Sequence, residues 1–478
     1  MPRPAQMLAA LDQKYVWHPF TQMKDWLQTE SIVIVRAQGA NLWDAKGRRY
    51  LDANSSIWTN LHGHGNARIN SAIKRQLGKV AHSSALGLAN EPASLLAERL
   101  IRAANGRKKP IAGGEGLSKV FFSDDGSTAM EVALKLSYEY WRRNGVANPR
   151  FLSLQGAYHG DTVGAVSLGH IDLFHKAYGG LLFGTDSVMA PYCYRCPFNR
   201  AKPERTDART YRKCNWECTR EVERKFVDAN KQGRRITGFV VEPLMQGAAG
   251  MIPQPDGWLT RVAQIAKAYR AHLIADEIMT AFGRASLPDK KSSPLFATQK
   301  EQVMPDFLAL AKGLTGGYLP LAATLTSQAV FDAFLGEYEQ FKTFFHGHSY
   351  SANQLGCAAA LASLDLLQSP ESKAARRKLA AEMAAGLQEL WQLSRVGDIR
   401  QVGSIAGIEL VRDWRTREPF DLRERAGIRV CEAMAKRGVL TRPIGNVIVL
   451  MPPYCTTARQ LGGMIQAMQE AIEETFGP

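Results

Sequence analysis

The middle of the chain alternates short apolar segments with amphipathic ones, and this alternation restricts the possible folds more than any other feature. Such a pattern predicts an α/β protein with a mostly parallel central sheet. A helix is expected over 128–141. The predicted strands cover 120–122, 151–154, 238–241, 271–275 and 307–311. Polar residues stand where these strands end, and open parallel sheets bind ligands beyond the carboxyl ends of their strands.

The two ends of the chain differ from this middle part. A long helix is predicted over 351–367, and a shorter α/β segment runs from 396 to the end. We therefore predict a large domain at 66–350 and a smaller one formed by 1–65 together with 351–478. A chain of 478 residues, of which 45% are hydrophobic, is long enough to bury cores of this size.

The charge balance indicates which classes of molecule the protein is expected to bind. Sixty Lys and Arg against 45 Asp and Glu give a formal net charge of +15. The basic residues are spread along the chain without an aromatic-rich RNA signature, so anionic small molecules are expected as partners and nucleic acid is not. No segment reaches the roughly 18 apolar residues of a membrane span. The start also lacks the apolar run of a signal peptide, so we expect a cytoplasmic protein without a membrane partner.

Four of the seven cysteines are close together in the sequence, at Cys193, Cys196, Cys214 and Cys218. Their spacing approaches a structural zinc pattern, although the second pair is one residue wider than the usual repeat. Four reduced or partly paired thiols are the alternative, and the sequence leaves both open. We assign them no catalytic role and expect no metal in the active site.

Three strand ends carry the groups that a cofactor with an aldehyde, a pyridine nitrogen and a phosphate requires. Lys312 precedes a glycine-rich turn that would let its amine approach a carbonyl carbon. Asp276 could stabilise positive charge on a pyridine nitrogen. Gly126 and Ser127 join a strand to a helix, where backbone N–H groups can hold a phosphate. Each could instead be an ordinary cap, but together they predict a pyridoxal-phosphate enzyme in which Lys312 holds the cofactor as a Schiff base.

Other residues could contact cofactor or substrate. Tyr158 follows another strand end and could stack on a planar cofactor, with a core tyrosine as the alternative. Ser349, in a loop centred on Gly347, could add a phosphate contact. Arg284 and Arg442 could bind carboxylates with both arms of the guanidinium group, or could form surface ion pairs.

These motifs together resemble the class III aminotransferases of the fold type I pyridoxal-phosphate superfamily. The resemblance covers nearly the whole chain and rests on Glu242-Pro243, 275–284, 311–317 and Gly126-Ser127. It implies a fold type I transferase and a homodimer with shared active sites. It also implies that Lys312 bonds the cofactor, that Asp276 pairs with the pyridine nitrogen, and that Gly126 and Ser127 bind the phosphate. A non-catalytic protein on the same fold would be expected to lack the lysine or the aspartate, and both are present.

The same resemblance assigns residues to the substrate pocket. Tyr158 would stack on the cofactor ring and Trp58 would form an aromatic wall. Arg442 would bind the carboxylate of a keto acid, whereas Arg284 matches an arginine on the donor side that is widespread in the class. The loop that reaches the phosphate and substrate of the neighbouring subunit is matched by Gly347, His348 and Ser349.

Within the class, the chain resembles the branch that aminates 8-amino-7-oxononanoate in biotin synthesis, on segments 17–23, 55–64, 441–445 and 450–454. Other ω-aminotransferases, acting on diamines or β-amino acids, share the catalytic core and are the alternative. Phe20 and Ile57 stand where the members that use S-adenosylmethionine carry Tyr and Trp. Losing an indole face and a hydroxyl disfavours a bulky charged donor, so we predict L-lysine as donor rather than S-adenosylmethionine.

Overall fold

A seven-stranded sheet forms the centre of the protein, in a computed structural model that describes residues 4–106, 109–287 and 294–477. Its strands, numbered along the chain, are β1 (Lys119–Ser123), β2 (Pro149–Leu154), β3 (Asp186–Val188), β4 (Arg235–Val241), β5 (His272–Asp276), β6 (Phe307–Leu310) and β7 (Ala322–Thr326). Their order across the sheet is β1-β7-β6-β5-β4-β2-β3. Neighbours from β6 to β3 are parallel, whereas β7 is antiparallel to both β6 and β1. The predicted α/β fold with a mostly parallel sheet is confirmed.

The central strands β5 and β6 are buried along their whole length, as expected of parallel strands covered on both faces. The five predicted strands are confirmed, but β3 and β7 were missed. In β7 two threonines interrupt the apolar run that would have indicated a buried strand. Thr324 Oγ1 donates a hydrogen bond to the Ala129 carbonyl (2.8 Å) and Thr326 Oγ1 to the Asp306 carbonyl (3.1 Å), so these hydroxyls are satisfied inside the protein.

Helices cover the sheet and the two ends of the chain. The longer ones are α1 (Ala5–Tyr15), α2 (Ala67–Leu77), α3 (Glu91–Asn105), α4 (Gly126–Arg143), α5 (Glu217–Lys231), α6 (Trp258–Ala268), α7 (Gln354–Gln368), α8 (Pro370–Gly386), α9 (Ala426–Lys436) and α10 (Ala458–Phe476). Side-chain caps set two of the starts. Helix α4 begins two residues before the predicted start because Asp125 accepts from the Thr128 N–H (2.9 Å). Helix α7 begins at Gln354, later than predicted, because Asn353 caps it.

Strands from the two ends of the chain pair with each other. One sheet consists of Ile34–Gln38, Asn41–Asp44, Arg49–Asp52 and Val439–Leu440. Its last two strands are parallel although almost 400 residues separate them in sequence. A second sheet consists of Val396–Val402, Ile405–Asp413, Glu418–Pro419, Pro443–Ile444 and Val447–Leu450. The domain boundaries after residues 65 and 350 stay a prediction.

Two short strand pairs complete the sheets. They are Ala112–Gly113 with Val303–Met304, and Met245–Gln246 with Ile252–Pro253. Of the helices in the three described ranges, none combines the length and the apolar character that crossing a bilayer requires.

Candidate active site

Lys312 lies directly past β6, at the start of the turn Lys312–Thr315. Its φ of 42° is in the left-handed region, where a residue with a side chain is uncommon and where strain often marks a functional site. The amine nitrogen Nζ lies 4.4 Å from the centre of the Trp58 ring. Burial lowers the pKa of Lys312 to about 8, against the opposing charges of Asp276 and Glu242. A neutral amine, the nucleophilic form, is therefore accessible near neutral pH.

Asp276 is the last residue of β5 and pairs across the sheet with Ala309 of β6, so its carboxylate and Lys312 share one edge of the sheet. His159 Nδ1 donates to Asp276 Oδ2 (2.7 Å), and the Ile278 N–H donates to Oδ1 (3.0 Å). Burial opposes protonation of His159, but the hydrogen bond and charge of Asp276 raise its pKa overall. Both carboxylate oxygens are thereby held in one orientation. His159 directly follows Tyr158 but was not predicted to have a role.

Glu242 follows β4 at the same edge of the sheet, where polar residues were expected. Its Oε2 accepts from the Gly247 N–H (2.8 Å), while Oε1 is buried and has no partner among the described residues. Burial raises the pKa of Glu242 to about 7. A buried acceptor without a partner is costly unless a ligand completes it.

Gly126 and Ser127 open α4, where the first backbone N–H groups have no partner within the helix. A Cβ atom at position 126 would lie 2.8 Å from Ile278 Cγ2, so glycine lets the helix start pack against the segment that follows β5. Ser127 Oγ accepts from the Thr162 N–H (2.9 Å). The helix N-terminus therefore adjoins the same sheet edge, in the arrangement that suits an anion.

Aromatic rings cluster around Tyr158, which follows β2. Tyr158 donates its hydroxyl to Asp161 Oδ2 (2.7 Å), and burial followed by this contact raises the tyrosine pKa. The Phe20 ring lies 6.4 Å from the Tyr158 ring and 5.3 Å from that of Phe174. Phe174 was not predicted as a site residue, because only folding brings it next to Phe20. The structure thus brings Phe20 and Tyr158 together, as expected of two pocket residues.

Ile57 and Trp58 belong to a short turn, Ser55–Trp58, in which all four residues have positive φ, from 47° to 68°. Asp52 holds this turn: its Oδ1 accepts from the Ser56 N–H (2.9 Å) and its Oδ2 from the Ser56 hydroxyl (2.9 Å). Ile57 is 45% exposed. Trp58 packs toward Lys312, as its predicted place in the pocket wall requires.

Arg284 is 1% exposed, so the surface ion pair that the sequence left open is wrong for this residue. Its guanidinium donates to neutral oxygens: Nη1 to the Pro452 carbonyl (2.6 Å), and Nη2 to the Ser55 hydroxyl (2.8 Å) and the Asn60 carbonyl (3.1 Å). Burial lowers the pKa of Arg284. The donor-side role stays a prediction.

Arg442 is exposed, and its Nη2 donates to the backbone carbonyl of Phe20 (3.3 Å). This contact places the guanidinium beside Phe20. The acceptor is a neutral oxygen rather than a carboxylate, so charge remains available to bind an anion.

The loop that carries Gly347, His348 and Ser349 lies beside the start of α4. His348 Nδ1 donates to Asp124 Oδ2 (2.9 Å), and His82 Nε2 donates to the Ser349 carbonyl (2.8 Å). Gly347 and Ser349 are exposed. Contact of this loop with a second subunit stays a prediction.

The four clustered cysteines line one cavity of about 10 Å³. All four are free thiols in this structure. Among the described residues, no group of His, Cys, Asp or Glu side chains is arranged to hold a metal ion. The structural zinc and the reduced thiols both stay predictions.

Comparison with known proteins identifies the family. Residues 23–472 match the family profile "Aminotransferase class-III". A relative from Geobacter sulfurreducens, named adenosylmethionine-8-amino-7-oxononanoate aminotransferase, is 46% identical over 99% of this chain and 98% of its own. The crystal structure of the Methanocaldococcus jannaschii enzyme of that name superposes with a TM-score of 0.87, at 38% identity and covering 98% of this chain and 99% of that one. An (S)-enantioselective omega-transaminase from Thermomicrobium roseum gives 0.88 at 29% identity, with both chains fully covered.

The chain belongs to the class III aminotransferases, and pyridoxal phosphate is its cofactor. The site fits this group on three observations. A buried amine with a lowered pKa lies beside a fixed carboxylate. The start of α4 lies at the same sheet edge, and its first backbone N–H groups have no partner within the helix. One buried Glu242 oxygen has no partner among the described residues.

Proposed function

We propose that this chain transfers an amino group to 8-amino-7-oxononanoate and so forms 7,8-diaminononanoate in biotin synthesis, by a two-stage exchange. The observation that carries amino transfer is the shared sheet edge of Lys312 and Asp276. The choice of acceptor is supported by the names of the relatives at 40–46% identity and by the exposed Arg442 at the pocket opening.

The chain's own residues perform distinct tasks in this exchange. Pyridoxal phosphate supplies an electron-withdrawing ring to which the migrating amino group is attached. Lys312 would hold the cofactor until a donor amine replaces it, and its Nζ would then hold the proton that leaves the donor carbon. A pKa of about 8 suits this task, because the amine can both accept and release a proton near neutral pH. Asp276, held by His159, stabilises positive charge on the ring nitrogen, and the aromatic side chains limit the access of water.

Arg442→Ala is expected to raise KM for the carboxylate-bearing acceptor roughly 10- to 100-fold, because the charge-assisted pair is lost. The rate of the donor half-reaction should stay close to that of the parent. Arg442→Lys should recover only part of the affinity, since an ammonium group cannot bind both carboxylate oxygens in the same way. Arg459→Ala, which removes another exposed arginine, is the control. Unchanged acceptor KM in Arg442→Ala would exclude this residue as the carboxylate site.

A panel of donors and acceptors tests the proposed reaction and the choice of donor together. Donors are mixed with enzyme in the absence of acceptor, and loss of the cofactor's visible absorbance is followed. Phe20 and Ile57 predict that L-lysine reacts at least about tenfold faster than S-adenosylmethionine. The names of the relatives favour S-adenosylmethionine instead. Rapid reaction with S-adenosylmethionine and none with lysine would therefore reject the lysine prediction alone.

The same panel separates the main alternative. The structural similarity to an omega-transaminase favours a diamine or β-amino-acid reaction as the second candidate. Steady turnover of such a substrate, with no product from 8-amino-7-oxononanoate, would replace the proposed acceptor while leaving the amino-transfer chemistry intact.

A homodimer with shared active sites is part of the proposal. It is supported by large apolar side chains that a single chain leaves exposed, among them Trp17 (87%), Leu86 (91%) and Phe345 (72%). Phe345 lies in the same loop as Gly347, His348 and Ser349. We also propose a cytoplasmic location, where biosynthetic substrates of this kind are available.

A further inference from the structure

The turn Ser55–Trp58 is a left-handed helical turn made without glycine. Its φ values are 47° at Ser55, 49° at Ser56, 63° at Ile57 and 68° at Trp58. Each L-residue in this conformation brings its Cβ too close to the following carbonyl oxygen, and such residues normally occur singly. Four in succession persist only where surrounding contacts hold them.

Arg284 supplies contacts on both sides of this turn. Its Nη2 donates hydrogen bonds to the Ser55 hydroxyl at the start of the turn and to the Asn60 carbonyl beyond its end. Its Nη1 donates to the Pro452 carbonyl. The Ser55 hydroxyl itself donates to the Met451 carbonyl (2.7 Å). The arginine therefore bridges the turn to the segment that follows Val447–Leu450.

The conformation of residues 55–58 determines where the Trp58 ring lies. The indole Nε1 is buried without a partner among the described residues, so no hydrogen bond of its own orients the ring. The ring packs against the buried apolar cluster that includes Leu244 and Met279. The ring faces the Lys312 amine at 4.4 Å. Its position thus depends on the backbone conformation of residues 55–58.

We propose that Arg284 is a positioning residue, which clamps the left-handed turn Ser55–Trp58 and thereby holds the Trp58 ring against Lys312. This deepens the proposed function, on which it rests for the identity of the pocket. Arg284 acts through Ser55 and Trp58 rather than by binding the donor. The donor-side role that the resemblance implies is the competing account.

Two substitutions at Ser55 separate the clamp from a simple loss of contacts. Ser55→Ala and Ser55→Gly both remove the hydroxyl that Arg284 binds, and both leave a similar space. They differ in backbone preference, because glycine adopts positive φ without strain and alanine does not. If the hydroxyl serves to hold a strained turn, alanine should release the turn and glycine should keep it.

The first readout is the near-ultraviolet circular dichroism of the cofactor-free protein. The Trp58 contribution is the difference between the parent and Trp58→Phe. We expect this contribution to be largely lost in Ser55→Ala and retained in Ser55→Gly. Because no substrate or cofactor is present, this result does not depend on which reaction the enzyme performs. Failure of the proposed function would appear in the substrate panel instead.

The second readout is the rate of the donor half-reaction, measured with whichever donor proves active. Misplacing a pocket wall by about an ångström should slow the reaction roughly 10- to 100-fold in Ser55→Ala. Ser55→Gly should be less than about threefold slower, since the turn persists. Arg284→Lys should resemble Ser55→Ala in both readouts, because an ammonium group cannot span Ser55 and Pro452.

Two results would overturn the proposal. One is an unchanged dichroism difference in Ser55→Ala. The other is equal loss of rate in the alanine and glycine variants, which would show that the hydroxyl matters for a reason other than backbone strain. If Arg284→Lys raises only the donor KM while the dichroism is retained, Arg284 binds the donor directly.

Discussion

Lys312→Ala is expected to abolish measurable turnover, with a loss of at least about a thousandfold. Both the covalent attachment of the cofactor and the proton transfer at the donor carbon depend on this amine. The visible absorbance of the lysine-bound cofactor should disappear from the purified variant. An added small amine should restore a slow proton transfer, because it can enter the space that the side chain leaves.

The variant must remain folded for this result to be informative. Its thermal midpoint should stay near that of the parent, and sedimentation should show a dimer for both proteins. Lys267→Ala removes an exposed lysine at the end of α6 and should turn over normally. Full activity in Lys312→Ala would mean that another residue bonds the cofactor and would refute the proposed site.

Asp276→Asn is expected to reduce kcat roughly 100- to 1,000-fold, the range found when one preorganised electrostatic contact is removed from an active site. The amide has nearly the same shape but cannot stabilise positive charge on a ring nitrogen. The substitution also removes the main group that raises the pKa of His159, so that pKa should fall. Titration of the His159 ring signal by NMR checks this second effect independently of turnover.

Glu277→Gln is the matched control for Asp276→Asn. Glu277 is the next residue, is fully buried, and accepts from the backbone N–H groups of Ala297 and Thr298. Its substitution should lower thermal stability while leaving kcat close to that of the parent. Equal losses of kcat in the two variants would show that burial of a carboxylate, rather than its contact with the cofactor, is what matters at Asp276.

The shared edge of Lys312 and Asp276 could be predicted because the relevant information is local. Each residue follows an apolar strand, and carboxyl ends of adjacent parallel strands meet at one edge. The register confirms this, since Asp276 pairs with Ala309, three positions before Lys312. The helix that begins at Gly126 was also predictable, since its sequence contains both the turn and the cap.

Other parts of the site could not be read in this way because they depend on contacts distant in sequence. Phe174 meets Phe20 across more than 150 residues, and no spacing rule joins them. The left-handed conformation of Ser55 is equally hidden, since serine has no preference for positive φ. It becomes understandable only once Arg284, more than 200 positions away, is seen to hold it.

The pairing of Arg49–Asp52 with Val439–Leu440 has a consequence for the order in which the protein is built. On the ribosome, nearly 400 further residues must be synthesised before Arg49–Asp52 can pair with this partner strand. This takes roughly 20 to 80 s at ordinary rates of synthesis. Asp52, which accepts hydrogen bonds from the turn that carries Trp58, is the last residue of Arg49–Asp52. Lys312 and Asp276, in contrast, lie at the ends of β6 and β5, and the neighbours of these two strands in the sheet are all synthesised by residue 326. The strands that carry the catalytic centre can therefore pair before the wall of the substrate pocket is completed, since that wall needs Val439–Leu440.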